Sequence, residues 1–293
     1  MGKRRGVALA SSVAVCKADG AMAVLASLQM LEIPVRPPLK WAGGKRWLVP
    51  DLAKLWDGHE SRRLVEPFCG GLAVALSLRP KRALLNDINP HAVNFYSWLK
   101  RGLRVNDQLE FANNEQLYYE HRTRFNELIS NEGAESEEAA ALFYYLNRTC
   151  YNGLCRFNSS GEFNVPFGRY KRINYRRDFR EYSRILSDWS FSVGDFEHLP
   201  VEADDFLYAD PPYDVDFRSY SKEGFDWDDQ VRLAEWLAKR RDATVLSNQA
   251  TDRILHLYRK LGFSLRLVDA PRMINCTGDR SPAREVLATR GID

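Results

Sequence analysis

Four short apolar runs in this 293-residue chain end at a carboxylate: RRLVEP at Glu66, RALLND at Asp87, WSFSVGDF at Asp195 and DDFLYADPP at Asp210. Runs of this length bounded by Gly or Pro read as buried strands, and GLAVALSL, NPHAVNFYSWLKRG and WDDQVRLAEWLAKR read as helices between them, with Asn89 as a cap. ATVLSN, TDRILHLYRKLGF and the closing runs SLRLVDAP and REVLATR extend the pattern. Strands alternating with helices predict an α/β fold whose parallel sheet is covered on both faces, and open sheets of this kind bind ligands at the carboxyl ends of their strands.

The alternation lapses between residues 106 and 189. Two stretches there look helical, and YNGLCRFNSSGEFNVPFGRY places turn signals between short aromatic runs, as a hairpin does. The expected organisation is therefore a sheet domain built from 37–105 and 190–293, with 106–189 as an inserted, mainly helical subdomain. Residues 1–36 begin KRRGVALASSVAVC after Met-Gly, a weak imitation of a secretory leader, and read as a poorly ordered or upstream-extended N-terminus. No run is long and apolar enough to span a bilayer, so no membrane partner is expected.

Net charge is only +3, but it is unevenly placed. Arg156–Arg184 holds eight Lys or Arg against three acids, whereas Glu202–Asp229 holds ten acids against Arg218 and Lys222. A basic stripe beside a carboxylate-rich segment suits a polyanion binder, although any single charge run is commonly a solvated surface. Five cysteines without a CxxC pair, and five histidines without HExxH spacing, argue for a reducing compartment and against a disulfide framework or a zinc site.

Chemistry concentrates in four places. LVEPFCGGLAVAL puts Gly70 and Gly71 after a strand, letting a ligand approach the backbone, and Asp87 stands where an acid grips ribose hydroxyls in nucleotide-binding units. GxGxxG is absent, which favours a cofactor with ribose and no pyrophosphate. KWAGGKRW lacks the spacing of a phosphate loop; Trp41 and Lys45 could hold a sulfonium by cation–π attraction and a carboxylate by charge, though a core Trp and a surface Lys are the plainer reading. GDF offers Asp195 and Phe196 to an adenine moiety. Most specific is Asp210-Pro211-Pro212-Tyr213. If the Asp210 carboxylate and the Pro211 carbonyl accept both hydrogens of an exocyclic amine, its lone pair is freed for attack, while Pro212 stiffens the exit and Tyr213 offers a stacking face to a base that has left its helix.

These segments, in this order and with LNRTCYNGLCRFNSSGEFNVPFGRY, LSNQ and INCTGDRSPAREVL, resemble the Dam-type, D12 class DNA adenine-N6 methyltransferases over about residues 37–290. The resemblance implies a Rossmann-like methyltransferase sheet with a target-recognition insert bearing a β-hairpin. It implies S-adenosyl-L-methionine as cofactor, S-adenosyl-L-homocysteine as product, no metal, and double-stranded DNA as partner. Carried over by position, Trp41, Lys45, Asp87 and Asp210 bind the cofactor, with Glu66, Phe68, Asp195 and Phe196 lining its pocket. In the hairpin Tyr151 is the wedge in the base stack, Asn152 partners the orphaned base and Arg156 reads a guanine. Leu154 and Pro166 meet a thymine methyl, and Lys40 and Tyr170 serve the outer base pair; apart from the resemblance, Lys171 or Arg172 in the basic segment is expected to act mainly on the salt dependence of binding. The expected target is GATC, modified by base flipping in a prokaryotic or phage cytoplasm. An N4-cytosine or RNA methyltransferase, and a DNA-binding regulator without activity, remain as alternatives, and a cognate restriction endonuclease stays open. Cys150 before the wedge tyrosine, where glycine is usual, and the acidic segment after Tyr213 depart from the family pattern.

Overall fold

The computed structural model describes residues 35–105, 109–173, 175–214, 224–271 and 283–292. The expectation for residues 1–36 therefore lies outside the described residues except at Val35, which is buried, and Arg36, whose carbonyl accepts the Tyr182 hydroxyl at 2.5 Å. The acidic segment after Tyr213 and the INCTGDRSPAREVL stretch lie largely outside them too.

In chain order the elements are α1 (Val49–Trp56), β1 (Arg63–Glu66), α2 (Ala75–Leu78), β2 (Arg82–Asp87), α3 (Pro90–Arg101), α4 (Glu115–Ile129), α5 (Glu137–Thr149) and α6 (Arg180–Ile185). They continue with β3 (Trp189–Val193), β4 (Phe206–Ala209), α7 (Trp227–Ala238), β5 (Ala243–Gln249), α8 (Asp252–Lys260), β6 (Ser264–Ala270) and β7 (Ala283–Arg290). One sheet runs β3-β2-β1-β4-β5-β7-β6. Its first five strands pair in parallel, as the strand–helix alternation predicts. The sheet is mixed rather than wholly parallel, because the chain turns back after β6 and β7 inserts between β5 and β6, antiparallel to both.

Successive residues of a strand point to opposite faces, and in the central strands β1, β2, β4 and β5 both faces are buried. Leu64 of β1 and Leu85 of β2 join an apolar cluster with Phe95, Tyr96, Tyr144 and Trp189, under α3 to α6. Val65 and Leu84 join the opposite cluster with Leu233, Leu237, Ile254 and Tyr258, under α7 and α8. This two-sided burial is why the strands read as continuous apolar runs. Local signals set the helix starts: the Asn89 side chain accepts from the amides of His91 and Ala92 ahead of α3, Thr251 caps α8, and Asp226 with Asp229 forms a reciprocal capping box on α7. GLAVALSL yields only the four-residue α2, because Leu72 takes a left-handed φ of 61° and its neighbours form the turn leaving β1.

His91, at the start of α3, stacks on Phe157 with centroids 4.9 Å apart and meets the edge of Phe125. Burial lowers its imidazole from 6.5 to about 4. Between those values the unfolded chain binds a proton that the folded chain refuses, so stability present above pH 6.5 drains away as pH falls toward 4, by about 3 kcal/mol. Denaturant unfolding across that range should show the slope, and His91→Phe should flatten it; equal slopes in both proteins would reject His91 as its source.

Candidate active site

The chain leaves β1 toward β2 and β3, then returns to β4 on the other side of β1. That reversal opens a crevice between the carboxyl ends of β1 and β4, bordered by Glu66 and Asp210. The Asp210 Oδ1 accepts the Ser247 hydroxyl at 2.8 Å and lies 3.2 Å from the Lys45 ammonium. Burial raises the Asp210 carboxyl above the usual range, opposed by Lys45 and by the Ser247 hydrogen bond. Lys45 also donates to the Gly43 carbonyl at 3.0 Å and sits 4.3 Å from the centre of the Tyr213 ring. The Tyr213 hydroxyl donates to Glu285 of β7, and the Pro212 carbonyl accepts from Gln230 at 2.7 Å. The Asp214 carboxylate is clamped by Arg253 and Thr251. An exit that cannot bond as a ladder is thus fastened side chain by side chain.

Across the crevice, Glu66 is buried and its Oε1 meets no hydrogen-bond partner among the described residues. Burial, then the charge of Asp210, push its carboxyl well above the usual range. Such an orphaned oxygen suits a polar ligand. Asp87 accepts the Gly70 amide on one oxygen and the Asn89 amide on the other, each at 2.9 Å, while burial raises its carboxyl. Asn86 donates to the carbonyls of Pro67 and Gly194, each at 2.9 Å, cross-bracing the exits of β1 and β3. Trp41 lies on the turn between β1 and α2 so closely that a Cβ on Gly70 would stand 2.7 Å from its Nε1 and one on Gly71 2.8 Å from its Cβ. Phe68, Phe196 and Phe225 form an aromatic group at the β3 side, with centroids 5.4 to 6.2 Å apart. The Asp195 carboxylate is engaged by both terminal nitrogens of Arg232, at 2.9 and 2.8 Å, which hold it below the usual range.

The hairpin lies apart from this crevice along the chain, yet Lys40 joins the two. Asn147 brackets Lys40, accepting its amide and donating to its carbonyl, both at 2.8 Å; its ammonium bonds the Arg148 carbonyl and sits 3.8 Å over the Tyr170 ring. The hairpin is open, pairing by isolated antiparallel bridges at Cys150–Phe167 and Phe157–Phe163. Along it Tyr151, Asn152, Leu154, Arg156, Pro166 and Lys171 are exposed, while Gly153 is buried. Arg156 is steered by Asn164, whose side-chain oxygen accepts its Nε at 2.7 Å. Gly153 has a left-handed φ of 64°, and any Cβ there would meet Lys40 at 2.4 Å.

A model of the family described as D12 class N6 adenine-specific DNA methyltransferase matches residues 41–274. The chain belongs to this family. It is 36% identical over 279 residues to the type II methyltransferase M.MjaIII of Methanocaldococcus jannaschii, covering 84% of this chain and 95% of that one. It is 37% identical over 273 residues to the DNA adenine methylase of Vibrio cholerae serotype O1, covering 85% and 94%, and 35% identical over 265 residues to the retron Ec67 DNA adenine methylase of Escherichia coli, covering 86% and 90%. As an adenine-specific DNA methyltransferase it takes DNA as substrate and draws its methyl group from S-adenosylmethionine. No helix among the described residues is long and apolar enough to cross a membrane.

The structure brings the sequence-predicted residues Lys45 and Asp210 together at the β4 exit, with Glu66 at the end of the neighbouring strand β1. Sequence reasoning missed Glu285, Asn86 and Gln230, and it quoted Ser247 and Asn248 only as part of LSNQ. Gln230 did leave a signal: it falls on the buried stripe of α7 with Leu233, Ala234 and Leu237, where a polar residue is out of place.

Proposed function

We propose that the chain methylates adenine N6 within GATC in double-stranded DNA, drawing the target base out of the helix, with 37–105 and 190–293 carrying the chemistry and 106–189 reading the sequence. The observation that supports this most is Asp210, held by Ser247 and Lys45 at the mouth of the β1–β4 crevice and followed by rigid proline. S-adenosylmethionine supplies the electrophilic methyl group. Trp41, Lys45, Glu66 and Asp87 hold the cofactor, Asp87 toward its ribose, and Phe68 with Phe196 face its adenine. With Asp195 engaged by Arg232, contacts to that ring fall chiefly to the aromatic side chains.

Asp210 and the Pro211 carbonyl would accept the two amine hydrogens and free the nitrogen lone pair for the methyl group; the donor's carbon–sulfur bond would break as the carbon–nitrogen bond forms, and the methylated amine would then release one proton. A base still stacked in duplex DNA cannot reach them, so Tyr151 wedges into the stack, Asn152 partners the orphaned base, and Tyr213 stacks on the extruded adenine. Arg156 reads guanine, Leu154 and Pro166 contact thymine, and Lys40 with Tyr170 serve the outer pair. Single-molecule sequencing of DNA from cells expressing the chain tests this directly. Modified adenine in GATC alone is the expected result; modification in another context would reject the target.

Removing the Arg156 side chain should cost about 1–3 kcal/mol at one base pair and relax choice there. Lys171→Ala should weaken binding to all sequences and reduce the salt slope by about 0.9. Competition binding with single-base variants of the site separates the two; a uniform loss for Arg156→Ala would remove it from base reading.

A further inference from the structure

We propose that Gln230 and Asn248 are positioning residues, forming a buried amide relay that fixes the backbone of the catalytic exit; this rests on the reading of Asp210–Tyr213 as the tetrad acting on the adenine amine. Gln230 is 2% exposed and Asn248 fully buried. The Gln230 Nε2 donates to the Pro212 carbonyl at 2.7 Å, and its Oε1 accepts Asn248 Nδ2 at 2.8 Å. The same Nδ2 donates to the Tyr258 hydroxyl at 3.0 Å, and the Asn248 Oδ1 accepts the backbone amides of Gln249 at 2.8 Å and Asp214 at 3.4 Å. The ends of the relay are a carbonyl and an N–H two residues apart. A carbonyl needs a donor and an N–H an acceptor, so both amides are locked in one orientation.

The tetrad needs such an external fastening because Pro211 and Pro212 have no N–H to give a neighbouring strand. Ser247 and Asn248 are consecutive on β5 and so leave it on opposite faces. Ser247 holds the Asp210 side chain from one face, while Asn248, directly and through Gln230, holds Pro212–Asp214 from the other. With the chain gripped on both sides, the intervening Pro211 carbonyl has its direction fixed. A displacement near 1 Å at a reacting group can cost about a hundredfold in rate.

The test is single-turnover methylation of a GATC duplex by the full chain at saturating S-adenosylmethionine, with Kd measured for S-adenosylhomocysteine and for the duplex. Gln230→Leu should slow the step by about ten- to a hundredfold while both Kd values stay within about threefold. Gln230→Glu supplies a readout that packing alone does not move: a buried carboxyl titrates high and donates to Pro212 only when protonated. Its rate relative to wild type should therefore fall at least about fivefold from pH 6 to pH 8.5, whereas the Gln230→Leu ratio stays level. A Gln230→Leu rate within about twofold of wild type overturns the relay. So does a Gln230→Glu ratio independent of pH, and this variant decides alone if the leucine protein does not fold. Wild-type protein that transfers no methyl group to this duplex would instead reject GATC as the target, and one that transfers none to any DNA would reject the tetrad reading.

Discussion

Asp210→Ala lowers the single-turnover rate by about a thousandfold, roughly 4 kcal/mol of transition-state stabilisation, while S-adenosylhomocysteine binding weakens much less. On the proposed reading the carboxylate is the charged acceptor at the reacting amine, and neighbouring groups of the β4 exit are engaged elsewhere: the Pro212 carbonyl with Gln230, Tyr213 with Glu285 and Asp214 with Arg253. On the same reading cofactor binding is spread over Trp41, Lys45, Glu66 and Asp87, so the loss of one member removes only part of it. Truncation also frees the Lys45 ammonium from its partner 3.2 Å away. Asp210→Asn keeps the shape and one acceptor but points an N–H₂ at a donor, so it should be nearly as slow. Transfer of labelled methyl groups to a GATC duplex measures both; an alanine variant retaining a tenth of wild-type rate would take Asp210 out of the chemistry.

Gly70→Ala should weaken S-adenosylhomocysteine binding tenfold or more and destabilise the protein by about 1–3 kcal/mol. Two independent causes act together. Gly70 has φ +45°, a conformation that side chains rarely adopt, and its missing Cβ makes room for the Trp41 indole. With a methyl group 2.7 Å from Nε1, the indole must leave the turn, and the Asp87 carboxylate loses the Gly70 amide it accepts at 2.9 Å. A double-mutant cycle separates the causes, because in a Trp41→Ala background the steric part of the penalty disappears and the backbone part remains. Calorimetric titration of the four proteins gives the coupling; additive losses would mean that Trp41 does not set the glycine requirement.

What the sequence discloses here is whatever is encoded locally. Strands buried on both faces announce themselves as apolar runs, and Glu66, Asp87 and Asp210 follow because each ends such a run. Asn89 was legible as a cap for the same reason. The antiparallel β7 was not, since strand order depends on pairings between residues far apart in the chain, such as Gln249 with Glu285. Distance in sequence also hid the fastening of the tetrad: Gln230, Ser247 and Glu285 arrive from α7, β5 and β7. The engagement of Asp195 depended on Arg232, 37 residues later, which no local pattern connects to it. On the hairpin, Asn152, Leu154 and Arg156 are exposed, and the Asn164 brace on Arg156 needed the fold to bring it near.

Lys40 and Lys45 stand five residues apart, one gripped at the base of the hairpin by Asn147 and Tyr170, the other resting on Asp210. A chain of that length can separate their Cα atoms by no more than about 18 Å. The hairpin and the β1–β4 crevice are therefore moored by one short hawser, with Trp41 pinned to the glycine turn partway along. Neither mooring can draw away from the other beyond the reach of that tether.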